Sequence, residues 1–449
     1  MPIQNLYIQD TIIASASASG IGGINVIRVS GPDVEMVAKI VLGEIPRARM
    51  ATYKKFLNEQ KDLLDIGVAI YFPAPDSFTG ESVLELHAHG GSFIGANIIR
   101  TIISLGARYA DAGEFSKRAY LNGKIDLVQA EAIADLIASG TKKSAQAAMN
   151  SLSGTFSDVL KNLNEQLMYL RLYVEAAIDF PEEELDFLSD AKLHNHLERC
   201  ERLFYKIKNN IKQGQILNDG LKIAIIGLPN AGKSSLLNLI SGQETAIVTD
   251  IAGTTRDIIK AQVDIDGLGV EFFDTAGLRD SPDLIEAEGI KRTKKAIKSV
   301  NLALWVHDAS TAQPFCADNL PSDVSSIVIY NKMDLIKSNQ EYIDSKNQYI
   351  YLSANTGKGL KKLYAAIKKS VGYQNAGEGA FTARARHAEA IGKALNHFIS
   401  GKDKLIKDRA GEIFAEEMRL SQEALGEITG KITSDELLGK IFSEFCIGK

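Results

Sequence analysis

Three cysteines, Cys200, Cys316 and Cys446, are too few and too widely spaced for a disulfide framework or a zinc ligand set. No apolar run reaches the roughly 20 residues that a membrane-spanning helix needs. The opening Met1-Pro2-Ile3-Gln4-Asn5-Leu6 lacks the basic start of a secretory signal and the arginines of a transit peptide. The expectation is a protein of the reducing cytoplasm with no membrane partner. Basic excess is missing too: 51 Lys and Arg against 56 Asp and Glu leave a net charge of −5. That balance excludes a chain-wide nucleic-acid surface, so any RNA partner must meet a local basic patch. The remaining composition, 45% hydrophobic and 24% charged over 449 residues, suits two or three domains with their own cores.

One stretch organises what is there. Gly227-Leu228-Pro229-Asn230-Ala231-Gly232-Lys233-Ser234 fits the phosphate-loop pattern GxxxxGKS/T. The apolar run Leu221–Ile226 before it reads as a buried strand, and Ser235–Ile240 after it as a helix start. Strand, glycine loop and helix N-terminus aim backbone N–H groups at one point, which favours an anionic phosphate chain. Lys233 would supply charge for the β- and γ-phosphates, and the Ser234 hydroxyl a magnesium ligand.

Three partners follow in order. Asp274-Thr275-Ala276-Gly277 ends an apolar run where a magnesium carboxylate and a γ-phosphate-sensing amide belong. Asn331-Lys332-Met333-Asp334 ends another, placing a carboxylate that can accept from guanine N1–H and N2–H. Ser353-Ala354-Asn355 ends a third and can present a backbone N–H to guanine O6. Adenine carries a donor where O6 would be, so the set selects GTP over ATP. The GTP-binding residues so named run through Asn230, Ala231, Gly232, Lys233, Ser234 and Ser235 to these three motifs.

Taken in order, residues 1–119 read as a mixed α/β domain. Thr11–Ala14 and Asn25–Val29 read as strands about a Ser/Gly-rich turn, and Asp65–Phe72 and Ser82–His87 as strands joined by the turn Phe78-Thr79-Gly80-Glu81. His87 and His89 share one strand face, but no acidic or cysteine partner stands out near them, which favours packed histidines over a metal site. From Leu121 the period becomes helical, through Ile125, Val128, Ala132, Ile133, Leu136 and Ile137. Phe180-Pro181 and Glu182-Glu183-Glu184 break that pattern as a helix start. A G domain then spans 218–375, with Gln374–Gly379 as its exit linker, and Phe414, Met418, Leu425, Ile428 and Ile432 mark a further helix. The expected fold class is multidomain α/β plus all-α. Its parts are an N-terminal α+β domain (1–119), a discontinuous helical domain (120–217 and 376–449) and a Ras-like P-loop domain inserted between those helical segments.

Phosphoryl transfer is mostly positioning plus charge neutralisation. Leu278 stands directly after the DxxG motif, and an aliphatic side chain can neither orient water nor stabilise charge. The missing charge has a candidate source in an ordered potassium ion, which would act as an arginine finger does. Asn230 offers a carbonyl oxygen for it. The segment Thr249-Asp250-Ile251-Ala252-Gly253-Thr254-Thr255-Arg256-Asp257 offers backbone carbonyls and, in Thr255, a second magnesium ligand. Asn230 read alone is equally a loop-stabilising amide.

Along nearly its full length the chain resembles the MnmE (TrmE) family of tRNA-modification GTPases. The resemblance rests on Gly227–Ser235, Thr249–Asp257, Asp274–Arg279, Phe78–Glu81, Gly113-Glu114-Phe115-Ser116, Asn122–Ala132 and the terminal Phe445-Cys446-Ile447-Gly448-Lys449. It implies a homodimer whose N-terminal domains resemble the folate domains of one-carbon enzymes and bind formyl-tetrahydrofolate or a related folate. It implies potassium-dependent hydrolysis and an FAD-dependent MnmG-type partner. The pair would add an aminomethyl or carboxymethylaminomethyl group at C5 of the wobble uridine of certain tRNAs. The roles carried over are potassium for Asn230, Thr249, Ile251 and Thr254, and magnesium for Ser234 and Thr255. Glu286 would orient the attacking water. Arg28, Glu81, Lys124 and Lys449 would meet folate, and Cys446 would belong to the modification centre.

Outside that resemblance, Glu286 is a solvated helix carboxylate and Cys446 a small packed hydrophobe. Two other functions stay open on the residues. One is a GTP-switch ribosome-assembly factor, for which Lys291-Arg292-Thr293-Lys294-Lys295 would be the basic element. The other is a GTP-regulated folate one-carbon transferase not acting on tRNA.

Overall fold

The computed structural model describes residues 10–18, 20–179, 191–243, 259–274, 300–311, 324–336, 349–373, 379–431, 435–443, 445 and 448. The chain divides into two compact units, Met1–Ala134 with Arg419–Lys449, and Asp135–Met418.

In the first unit, β1 (Ile12–Ser15), β2 (Ile24–Ser30), β3 (Thr52–Leu57), β4 (Leu63–Phe72), β5 (Val83–His89) and β6 (Arg108–Tyr109) form one sheet in the order β3-β4-β5-β2-β1-β6. Only β1 and β6 among these pairs run parallel. Strand alternation decides the faces: in β5, Leu84, Leu86 and Ala88 are buried while Glu85 and His87 are half-buried on the other side. Helices α1 (Val34–Leu42) and α2 (Ser92–Ser104) cover the apolar face, with Val34, Val37 and Val41 of one and Ile98 and Ile102 of the other set at helical spacing. The turn 78–81 has Gly80 at φ 79°, in the left-handed region. After β6 come α3 (Glu114–Leu121) and α4 (Leu127–Ala138).

The pair His87 and His89 lie on one face of β5, and acids stand beside both: Glu85, two residues before His87 on the same strand, and Asp65 on the neighbouring strand. His89 Nδ1 sits 2.8 Å from Asp65 on β4, and His87 Nε2 sits 3.5 Å from Glu85. Among the described residues, no group of three His, Cys, Asp or Glu could hold a metal.

The second unit opens with α5 (Lys142–Leu152), α6 (Thr155–Asp179) and α7 (Ala191–Asp219). Phe156, Leu160, Leu163, Leu167, Leu170 and Val174 of α6 are buried, as are Leu193, Leu197, Cys200, Phe204, Ile207 and Ile211 of α7. Both series step by four and three residues, the spacing of helices packed along a shared seam. Then follow β7 (Leu221–Gly227), α8 (Lys233–Gln243), β8 (Ile259–Ile265), β9 (Leu268–Asp274), β10 (Leu302–Asp308), β11 (Ser325–Asn331), β12 (Tyr349–Tyr351), α9 (Leu360–Ser370) and α10 (Ala385–Asp408). The sheet order is β12-β11-β10-β7-β9-β8, parallel apart from β8. Its central strands β7, β10 and β11 have consecutive buried residues facing both sides, as buried parallel strands must, while β8 and β9 alternate. Segments from either side of this sheet in sequence meet each other: Phe204 of α7 lies 5.2 Å from Phe398 of α10, and Phe156 of α6 stacks on Phe381, just before α10, at 4.1 Å.

The chain continues through α11 (Gly411–Thr429), where Phe414, Met418, Leu425 and Ile428 are all buried, to α12 (Asp435–Ser443). Leu438, Ile441, Phe442 and Phe445 cluster with Leu127 and Ala130. Glycine is required at two contacts here. A Cβ on Gly113 (φ 65°) would lie 2.6 Å from the Phe442 carbonyl oxygen, and one on Gly448 (φ 94°) would lie 2.2 Å from that of Ser15.

Candidate guanine-nucleotide site

Every described element of the site lies at the C-terminal end of a parallel strand, where open α/β sheets bind ligands. β7 sits at the switch point, with β10 on one side and β9 on the other. Its last residue, Gly227, has no room for a side chain, since a Cβ would fall 2.2 Å from the Val306 carbonyl oxygen of β10. The loop then turns through Asn230 at φ 63°, a left-handed conformation that asparagine tolerates better than most residues. Gly232, at φ 88°, brings the backbone against the Asn331 amide, which a Cβ would meet at 2.2 Å.

Lys233 opens α8 and folds back so that Nζ donates to the carbonyls of Gly227 and Leu228, each at 2.9 Å. Ser234 and Ser235 are exposed on the first helical turn, whose N–H groups have no partner within the helix. Neither the Ser234 hydroxyl nor the Asn230 amide has a hydrogen-bond partner among the described residues, so both are available to a ligand. Asn230 thus has a backbone reason to be asparagine and a side chain with no partner among the described residues.

Asn331 joins the Gly227–Ser234 loop to the Ser353–Asn355 turn. It is 1% exposed. Its Nδ2 donates to the Ala231 carbonyl at 3.0 Å, and its Oδ1 accepts from the Ala354 N–H at 2.9 Å. Three residues on, a 3-10 turn at Met333–Leu335 presents Asp334, which accepts from the Ser353 hydroxyl at 2.6 Å. That bond, with others from its own backbone and Asn355, holds the Asp334 carboxyl below its ordinary value. A charged acceptor is therefore fixed beside the Ser353–Asn355 backbone, the arrangement that guanine's adjacent donors and O6 require.

Lys332 adopts φ 65°, and its Nζ meets Asp308 Oδ2 at 2.6 Å. Asp308 ends β10 opposite Asn331 in the strand register. Burial raises its pKa, but hydrogen bonds from Lys332 and Ser310 outweigh that and lower it. Sequence reading missed Asp308. The available signal was a carboxylate closing an apolar run, the same signal that Asp274 gives on β9. The backbone of Asp274 lies beside Ile225 of β7.

Of the remaining nucleotide and metal candidates, Thr249, Asp250, Ile251, Ala252, Gly253, Thr254, Thr255, Thr275, Ala276, Gly277 and Glu286 lie outside the described residues, as do Cys446 and Lys449. Arg28, Glu81 and Lys124 all border the 78–81 loop. Arg28 lies 5.8 Å from the Phe78 ring and pairs with Glu85 at 2.8 Å. Lys124 donates to the Pro75 carbonyl, and its stem packs on Gly80. Glu81 accepts from Ser30 and from the fully buried Arg118. Arg118 also binds Glu114 and Asp10. Each of the three described side chains proposed for folate therefore already has a partner within the protein, and Lys449 lies outside the described residues.

Two family models match this chain: the MnmE helical domain over residues 127–446, and the GTP-binding protein TrmE N-terminus over residues 11–124. Relatives match from end to end. The tRNA modification GTPase MnmE of Psychromonas ingrahamii is 48% identical over 450 residues, covering 98% of this chain and 99% of that protein. The tRNA modification GTPase MnmE proteins of Coxiella burnetii and Proteus mirabilis are 47% and 46% identical, covering 98% and 99% of this chain and 99% and 100% of theirs. Among solved structures, the G domain of the T. maritima FeoB iron transporter matches 33% of this chain and 98% of its own at 23% identity and a TM-score of 0.26, too slight a likeness to carry an argument.

Proposed function

This chain belongs to the MnmE family of tRNA modification GTPases, and from that premise we propose the specific reaction it serves. It hydrolyses GTP in tRNA modification. With an FAD-dependent partner, that hydrolysis supports addition of an aminomethyl or carboxymethylaminomethyl group at C5 of the wobble uridine of certain tRNAs. The observation that carries the guanine-nucleotide part is the pair of Asn331 bonds that ties Ala231 to Ala354 beside an Asp334 oriented by Ser353.

In this reading the main-chain amides at the start of α8 bind the phosphates, and Lys233 exchanges its two carbonyl partners for phosphate oxygens. Asp334 accepts from guanine N1–H and N2–H. The Ser234 hydroxyl suits magnesium, with Thr255; the Asn230 carbonyl oxygen suits potassium, with Thr249, Ile251 and Thr254. When bound, the two cations neutralise charge on the transferring phosphoryl group. Leu278 has no such capacity; by resemblance to the family, Glu286 is the residue that orients the attacking water. The contacts of α7 with α10, and of Phe156 with Phe381, support a G domain at 218–375 inserted into a helical domain of 120–217 and 376–449. The N-terminal domain, 1–119, takes a folate through Arg28, Glu81, Lys124 and Lys449, and the chain works as a homodimer.

Hydrolysis by the purified protein, compared in potassium and sodium chloride at equal ionic strength, tests the catalytic part. Potassium should give the faster rate, and Asn230→Ala should erase the difference. Identical rates in the two salts would remove Asn230 from this role. Glu286→Ala should keep nucleotide affinity and lose turnover; wild-type turnover would reject the assignment.

A further inference from the structure

The net charge of −5 requires any RNA contact to be local, and α6 with α7 offers such a place away from the nucleotide. Asn162 of α6 and Arg199, Arg202, Leu203 and Lys206 of α7 line a shallow cleft of about 220 Å³. The α7 residues stand at i, i+3, i+4 and i+7, one face of the helix. Arg199 and Lys206 are exposed and have no ion-pair partner among the described residues. Arg202 meets Glu198 at 3.3 Å with both side chains well exposed, a pair worth little in water. The neighbouring Glu201 is taken up by Lys402 of α10. From Leu203 to Asn218 the helix carries three lysines and no acid.

The two helices run antiparallel, as the facing of Asn162 with Leu203 and of Tyr169 with His196 requires. Seven residues beyond Asn162, about 10 Å along α6, Tyr169 is 44% exposed. Its ring lies 4.5 Å from that of His196 and 6.2 Å from that of Tyr173. Cations therefore lead into an exposed aromatic surface along one groove. A small-molecule pocket would be deeper and more enclosed. Exposed cations followed by an aromatic platform suit a phosphodiester backbone with an unstacked base.

We propose that this α6–α7 groove docks the tRNA, with Arg199, Arg202 and Lys206 on successive phosphates and Tyr169 stacked on an unpaired base. The proposal rests on the reading that this chain acts on tRNA, and its test separates the two. Binding of a transcribed tRNA to the full-length protein is measured by fluorescence anisotropy between 50 and 200 mM salt, for wild type and for the triple variant Arg199→Ala, Arg202→Ala, Lys206→Ala. Losing three phosphate contacts should lower the slope of log Kd against log salt by about 2–3 and leave GTP hydrolysis unchanged. Tyr169→Ala should weaken binding roughly 5- to 150-fold, and Tyr169→Phe should restore it. A triple variant with wild-type Kd and salt slope overturns the groove while leaving the tRNA reading intact. Normal tRNA binding with lost self-association would instead assign the groove to a second copy of this chain. A wild-type protein that hydrolyses GTP but binds no tRNA refutes the functional reading as well.

Discussion

Replacing Asn331 by alanine should disconnect the phosphate loop from the base-binding loop while leaving the sheet standing. Asn331 is buried, and its two side-chain bonds at 3.0 and 2.9 Å end on main-chain groups of Ala231 and Ala354. Each bond contributes about 0.5–1.5 kcal/mol net, and each buried group left unpaired costs about 1–3 kcal/mol. These terms overlap, so a combined loss of about 2–4 kcal/mol is the working figure. Expressed as nucleotide affinity, that is roughly a 30- to 900-fold weaker Kd. Asn331→Asp keeps the acceptor for the Ala354 N–H but loses the donor to Ala231, so it should fall between wild type and alanine. Titration with a fluorescent GDP analogue at fixed magnesium reads the effect, and a thermal melt by circular dichroism checks the fold. An alanine variant within threefold of wild-type affinity would refute the idea that this side chain couples the two loops.

Other perturbations read other parts of the molecule. Asp334→Asn replaces an acceptor by a carboxamide, so it should weaken GTP by on the order of 100-fold and favour xanthosine triphosphate; competition between the two nucleotides checks this, and an unchanged preference for GTP would count against the assigned base contact. Burial alone would raise the pKa values of Asp10 and Glu114, but hydrogen bonds from Arg108 and Arg118 outweigh it and hold both low. Their stabilisation is present above the ordinary carboxylate range and is lost as the pH falls through their lowered values. Melts from pH 7 down to about pH 2 should show that loss beginning below the ordinary carboxylate range, and Glu114→Gln should flatten it. The Cys200 thiol, pushed up to about 12 by burial, should resist iodoacetamide at pH 8 in the folded protein and react in denaturant; rapid native labelling at this position would contradict the α6–α7 seam.

The setting of the candidate nucleotide site was legible in sequence because its motifs are contiguous and each closes an apolar strand. Gly227–Ser234, Asn331–Asp334 and Ser353–Asn355 need no long-range information to be recognised, since strand, turn and helix follow one another along the chain. The helical spacing of Phe414, Met418, Leu425 and Ile428 was legible for the same local reason, and these four are buried, while Ile432, read as part of the same helix, lies outside the described residues. What escaped depends on residues far apart. Asp308 gains its meaning from the β10–β11 register that sets it opposite Asn331. His89 finds Asp65 on a different strand, and Arg118 finds Asp10 and Glu81 at separations no local pattern encodes. The helices α1 and α2 were hidden inside a domain read through its strands. Arg199, Arg202 and Lys206 look in sequence like a mixed-charge helix with Glu198 and Glu201. Their exposure beside Asn162 and Tyr169 follows from the antiparallel packing of α6 on α7.

Mass spectrometry of nucleosides from tRNA tests the central claim most directly, in cells with the protein, cells without it, and cells complemented with Asp334→Asn. Loss of the C5-modified wobble uridine without the protein, restored by wild type and not by the variant, is the predicted result. Wobble uridines unchanged by removal of the protein would contradict the account.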